Sequence, residues 1–196
     1  MNIPRPVRVV ERRTRNRLRK EAFLLRQRFG LEQQKSFPIM EFLEHIIPLI
    51  DTQFVLEIVE DTDLQGRAAE TVPELHLIRV KASVYDAACC GNAWARSVLA
   101  HELCHYYLHS DDHVAYAFPS PGEQPSKETD PEWQANVFAA ELLAPVHLID
   151  EDIQNAFLVS KQFGVPLHTA KTQLRQSAKV HQRVYKRHQH AKKNSG

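Results

Sequence analysis

At 196 residues, 43% hydrophobic and 25% charged, with a formal net charge of +1, the chain has enough apolar material for one ordinary folded core with appendages. No run approaches the roughly 20 apolar residues of a membrane span, and the arginine-rich N-terminus has no apolar stretch behind it to make a secretory signal. Three cysteines, two of them adjacent at Cys89 and Cys90, make no disulfide framework, which fits a reducing, cytoplasmic setting.

The near-neutral total hides three blocks. Residues 1–35 hold eleven Lys and Arg against three Asp and Glu, residues 153–196 hold nine against none, and residues 36–152 carry the compensating acidic excess. One reading pairs the basic ends with the acidic middle inside the molecule. Another gives the ends nucleic-acid contacts, a possible but less favoured use. An acidic middle also suits a basic protein substrate. The expected organisation is a basic N-terminal helix or arm (1–35), a core (36–152), a C-terminal helical hairpin (153–185) and a disordered tail (186–196).

Along the chain, Thr14 to Phe29 reads as a basic helix closed by Gly30, followed by a linker over 31–38. Ile39 to Ile47 reads as a short helix stopped by Pro48. Gln53 to Glu60 and Glu74 to Val80 read as strands, with Glu57 and Arg79 among their polar positions. Ser83 to Cys90 forms a helical turn ahead of Gly91-Asn92, a breaker followed by an N-cap. Ala93 to His109 then runs without Gly or Pro. Trp94, Val98, His101 and His105 fall on one helical stripe, with Leu99, Leu103 and Tyr106 beside it, which predicts a largely buried helix.

Within that helix, His101-Glu102-Leu103-Cys104-His105 reads H-E-x-x-H. Positions i and i+4 lie almost above one another, so the two imidazoles point the same way, as two ligands of one Zn²⁺ must. Glu102, one residue round, is placed to reach a water at the metal. The pattern points to metal-assisted hydrolysis, most often of a peptide bond. A third His six residues after the second is not available, since Asp111 stands there. His109 lies a full turn beyond His105, and one ion does not easily take three ligands stacked over two turns, so its role is structural or behind the ligands. Cys104 projects roughly 100° away from His105 and is not expected to be a ligand.

Residues 110–129 form a loop long enough to rim the cleft. Asp130-Pro131 starts the next helix as N-cap and first-turn proline, and Pro145 ends it. Ala135, Ala139 and Leu142 share a face with Glu132, so this helix is able to approach the first closely and offer Glu132 as the third ligand. A first-turn carboxylate is also favoured by the helix dipole alone. Further on, Phe157 to Gln176 is helix–turn–helix-like in outline, with Gly164 at the turn and Pro166 at a helix start. Such hairpins commonly serve packing or substrate docking without reading DNA.

The two helical blocks together resemble the ImmA/IrrE family of metallo-endopeptidases. The family's N-terminal block has the form A-H-E-L-G-H-x-x-x-H, to which Ala100 to His109 is similar. Its C-terminal block has the form E-x-x-A-N-x-F-A-A-x-L-L-x-P, matched by Glu132 to Pro145. The resemblance extends upstream through 78–85 and downstream to about Ser177. It implies an α+β, predominantly helical fold with a zincin-like core, a small β-sheet and an active-site helix packed on a second helix. It also implies Zn²⁺ held by His101, His105 and Glu132, with Glu102 as general base. Members typically cleave or inactivate a helix-turn-helix repressor of mobile-element or stress genes. Two positions depart from the pattern: Cys104 replaces the usual Gly, and Gln134 stands where many members carry a second acidic residue.

Tyr106, Tyr116, His113 and His147 are candidate donors to the oxyanion. Competing readings are a non-proteolytic module that binds and displaces a repressor, and a DNA-associated regulator using the basic ends. Retention of Glu102 favours the enzyme, because a pure binding module does not need it.

Overall fold

A computed structural model describes residues 7–110, 115–117 and 126–193. The chain opens with strand β1 (Val7–Val9) and helix α1 (Arg15–Arg28). The Thr14 side chain accepts from the Arg17 amide at 3.3 Å to cap α1, and Gly30 takes the left-handed backbone (φ 67°) that turns the chain away from it. Helix α2 (Ile39–Glu41), a π-helical turn (Phe42–Ile46) and helix α3 (Ile47–Ile50) follow without a break. The sequence reading ended this segment at Pro48, and the structure corrects it. Proline lacks an amide and crowds the carbonyl four residues back, and the wider π turn just ahead of it relieves both problems.

Strands β2 (Val55–Val59), β3 (Ala69–Val72) and β4 (Leu77–Lys81) form a sheet in the order β2-β4-β3, with β2 parallel and β3 antiparallel to β4. The register places Arg79 between Glu57 and Glu70, and its guanidinium donates to both, at 2.8 and 3.1 Å. On the other face of β4, Ile78 and Val80 are fully buried. Strand β3 was not predicted. The strand expected from Glu74 begins later, because Pro73–Leu75 makes a 3-10 turn ending at His76 in the left-handed region (φ 51°).

Helix α4 (Ala82–Cys89) leads into α5 (Ala93–His109). The Asn92 side chain caps α5 by accepting from the amides of Trp94 and Ala95, both at 3.0 Å. Strand β5 (Ala115–Ala117) pairs antiparallel with β1. Helix α6 (Pro131–Leu143) is capped by Asp130, whose carboxylate accepts from the Glu132 amide at 2.9 Å. Helices α7 (Ala156–Phe163) and α8 (Leu167–Lys193) complete the chain. The result is an α+β, predominantly helical protein with a small three-stranded sheet. Helix α8 continues past residue 186, where the sequence reading expected order to end. The stretch holds neither Gly nor Pro to stop it. No helix among the described residues is long and apolar enough to cross a membrane.

Helix α5 sits at the centre, packed on α6 on one side and on β3 and β4 on the other. Leu99, Ala100, Leu103 and Cys104 are buried there together with Ala135, Phe138, Ala139 and Leu142 of α6. Fully burying each large side chain contributes roughly 1.5–3 kcal/mol. The small Ala135 and Ala139 let α6 approach, as expected, and Cys104 is accommodated in the core in place of glycine. The stripe through Trp94 is not the buried one, however: Trp94 is 54% exposed, and the buried face runs through Ala95, Leu99 and Leu103. Apolar periodicity locates a face but does not say whether that face meets a core or a cleft.

Helix α1 packs against the other side of α6. Glu141 is buried there and accepts a bidentate pair from Arg19, at 2.9 and 3.0 Å, and a further bond from Arg15 at 3.3 Å. The fully buried Arg26 donates to the carbonyls of Leu142 and Gln34. Arg12 pairs with Glu128 and Lys35 with Asp150. Much of the N-terminal positive charge is thus neutralised inside the molecule by the acidic middle.

Candidate metal centre

Helices α5 and α6 bring His101, His105 and Glu132 to one point. Their nearest ligand atoms all lie within 4.8 Å of one another. His101 Nε2 is 3.0 Å from His105 Nε2 and 3.2 Å from Glu132 Oε2, and His105 Nε2 is 3.4 Å from Glu132 Oε1. Two donors about 2.0–2.1 Å from a tetrahedral zinc stand about 3.3–3.4 Å apart. The spacing of this imidazole–imidazole–carboxylate set therefore fits a small ion of that geometry, and its N,N,O chemistry fits zinc or a similar divalent ion.

Each imidazole is held from behind, so that Nε2 faces the common point. His101 Nδ1 lies 3.2 Å from Asn136 Oδ1, which accepts the Nδ1 proton. His105 Nδ1 lies 3.0 Å from His109 Nδ1, and His109 Nε2 lies 3.1 Å from Gln134 Oε1. One proton order satisfies this chain: His105 Nδ1–H donates to His109, and His109 Nε2–H donates to Gln134. Gln134 is fully buried and its orientation is fixed. Its amide donates to the carbonyls of Glu11 and Glu128, both at 2.7 Å, and its oxygen also accepts from Arg13 at 3.3 Å. His109 thus stands behind His105, outside the converging set, and the N-terminal arm reaches the centre through Arg13 and Gln134.

Partners behind a ligating imidazole orient it and raise its basicity, at about 10- to 100-fold in metal affinity. His109→Phe, which keeps the ring and removes its nitrogens, is expected to weaken divalent-metal binding by about that factor in competition with a chromophoric chelator. Unchanged affinity would remove His109 from the support of His105.

The electrostatics follow from the same contacts. The imidazoles of His101 and His105 hold the Glu132 carboxyl well below the usual carboxylate range. Burial opposes a charge on His101, but the hydrogen bond to Glu132 and the carboxylates of Glu102 and Glu132 outweigh it, and its pKa is raised.

Glu102 is 8% exposed, and one of its oxygens is fixed: the Thr71 hydroxyl lies 2.7 Å from Glu102 Oε2 and 3.0 Å from the Glu102 carbonyl. Sequence reasoning missed Thr71, because it lies on β3, the strand that was not predicted. The cleft over these residues has a volume of about 720 Å³ and is lined by β3 together with Arg67, Glu70 and Glu74. Of the four candidate oxyanion donors, Tyr106 gives its hydroxyl to Asp51 and packs edge-on against Phe54. His147 bonds the Glu32 carbonyl at 3.1 Å and packs against Phe23. His113 and the side chain of Tyr116 lie outside the described residues. Arg67 is the cation that lines the cleft.

Residues 95–175 match the model of the peptidase M78 family, described as an IrrE N-terminal-like domain. This supports the ImmA/IrrE assignment drawn from the two helical blocks, both of which lie inside the matched stretch, and it makes a protein the expected substrate class. Comparison with curated proteins gave no match.

Proposed function

We propose that this chain, whose residues 95–175 match the peptidase M78 family model, is a zinc-dependent endopeptidase with His101, His105 and Glu132 as metal ligands and Glu102 as general base. The observation that carries this reading is the set of donor separations, 3.0, 3.2 and 3.4 Å, which are close to the donor–donor edges expected around a tetrahedral zinc. When bound, zinc supplies the Lewis acidity that polarises the scissile carbonyl and lowers the pKa of a water towards ~7.

The chain's own residues do the rest. Glu102 takes the proton from the attacking water and passes it to the leaving amine. Thr71 restrains Oε2 of that carboxylate, so the proton moves through the remaining lone pairs and Oε1. Asn136 and His109 keep both imidazoles in the tautomer that offers Nε2. Strand β3 is an edge strand, and its outer edge borders the cleft. An extended peptide is recognised there by adding a strand to it.

The substrate we propose is a helix-turn-helix transcriptional repressor in the cytoplasm. The acidic excess of residues 36–152 supports this reading, because it is complementary to the positive charge a DNA-binding protein carries. The test is incubation of the zinc-loaded protein with purified helix-turn-helix repressors from the same genome, with and without a chelator. A cut fragment that chelation prevents is the expected result. Release of the repressor from DNA without a cut would instead favour displacement by binding.

A further inference from the structure

Beyond His101 and Glu102 the cleft opens into a second recess of about 350 Å³. Trp94 and Val98, on the first turns of α5, line it from below. Ala68 and Ala69 border one side, and Pro166 and His168, at the start of α8, form the far wall. Ala69, His101 and Glu102 line both recesses, so the two are arms of one cleft meeting at the reacting centre. Their chemistry differs: the first arm is charged by Arg67, Glu70 and Glu74, while the second, away from His101, Glu102 and Asn136, is lined by Ala68, Ala69, Trp94, Val98 and Pro166 with Ser97 and His168 as its polar members.

Two observations mark this arm as a built site. Trp94 is 54% exposed on the same helical stripe as the two histidines, a position where an aromatic forgoes most of the burial that normally holds it in a fold. The far wall is also fixed in place. The buried Arg96 guanidinium donates to the Gly164 carbonyl at 3.2 Å and to the Phe37 carbonyl at 2.8 Å. Gly164 sits at φ 63°, and a Cβ there would lie 3.2 Å from Arg96 Nε. The turn between α7 and α8 is therefore clamped to α5, and Pro166 follows it by two residues. The helix–turn–helix-like outline of the tail thus contributes a wall of the cleft.

We infer that this recess is the specificity pocket of the enzyme and takes the large apolar side chain, aromatic or branched aliphatic, of the residue flanking the scissile bond. The inference rests on the proteolytic reading above. The pocket adjoins Glu102 directly, so a side chain that fills it belongs to a residue beside the bond being cut. Moving such a side chain from water into an apolar pocket strengthens binding by about ten- to a hundredfold.

The test uses full-length Glu102→Gln protein loaded with zinc and dye-labelled peptides of serine and glycine carrying one central Phe, Leu, Gly or Asp, with binding read by fluorescence anisotropy. The Phe and Leu peptides are expected to bind about ten- to a hundredfold more tightly than the other two. Val98→Asp should erase that difference with metal content unchanged, at some cost in thermal stability because Val98 also packs on the core. Trp94→Ala, at an exposed position, should shrink it. Equal binding of all four peptides, or a preference that survives both substitutions, overturns the pocket. Mapping the cuts made by the active protein in unfolded casein separates the two readings. Apolar preference in binding with no cutting upholds the pocket and overturns the peptidase reading, whereas cutting with no apolar bias beside the bond upholds the peptidase and overturns the pocket.

Discussion

Glu102→Gln is expected to leave metal binding intact and to slow peptide hydrolysis by about a hundred- to ten-thousandfold, the usual contribution of a positioned general base. The substitution keeps the side chain's shape, and its amide oxygen still accepts from the Thr71 hydroxyl that lies 2.7 Å from Oε2. Glu102 is not one of the three converging donors, so the metal loses no ligand. What disappears is the ability to take a proton. The check is a pair of measurements on one purified protein: zinc content, and the rate of fragment formation. Hydrolysis at the unaltered rate with full zinc would remove Glu102 from the reaction.

His101→Ala should have the opposite signature. It removes one of three donors and leaves His105 and Glu132 on opposite helices with a gap between them. Metal affinity is expected to fall on the order of a thousandfold, since a complete site is worth several kcal/mol per ligand, and activity falls with it. Substitution of the exposed His147 is the control and should leave metal binding unchanged.

The same centre makes metal uptake depend on pH. His101 must be neutral to bind a metal, yet in the metal-free protein its pKa is raised: burial opposes its charge, but the bond it donates to Glu132 and the neighbouring carboxylates outweigh it. A raised pKa lets the proton compete from a higher pH than at an ordinary histidine. Affinity should therefore be full above that pKa and fall as the pH drops through it. Glu132, held anionic to a low pH, adds nothing to the change in this range. Metal titrations at a series of pH values read this directly.

The parts of the protein written in local chemistry were legible in the sequence. Asn92 and Asp130 cap α5 and α6 where their side chains predict, and the i, i+4 spacing of His101 and His105 needs nothing beyond the helix itself. Glu132 was reachable because the alanines beside it imply a close helix approach. Strand β3 was not legible. It is four residues long, and it is held by its partner through the Glu70–Arg79–Glu57 ladder rather than by a pattern of its own. Thr71 was lost with it. Trp94 was misread for a related reason: a stripe of apolar residues is the same in sequence whether it meets a core or a substrate. Gln134 resembled a defect, and only the fold brings it to His109 and Arg13.

That glutamine sets the charge of the whole centre. Two neutral imidazoles and one carboxylate would leave a bound divalent ion with a single residual positive charge. An amide oxygen at the end of the His105–His109 chain does not change that sum. A carboxylate in its place, even shared with Arg13, would accept the His109 proton more strongly and make His105 a stronger donor to a bound ion. With an amide, a bound ion would keep more of its electron demand for a carbonyl in front of it, which would make it the harder electrophile of the two.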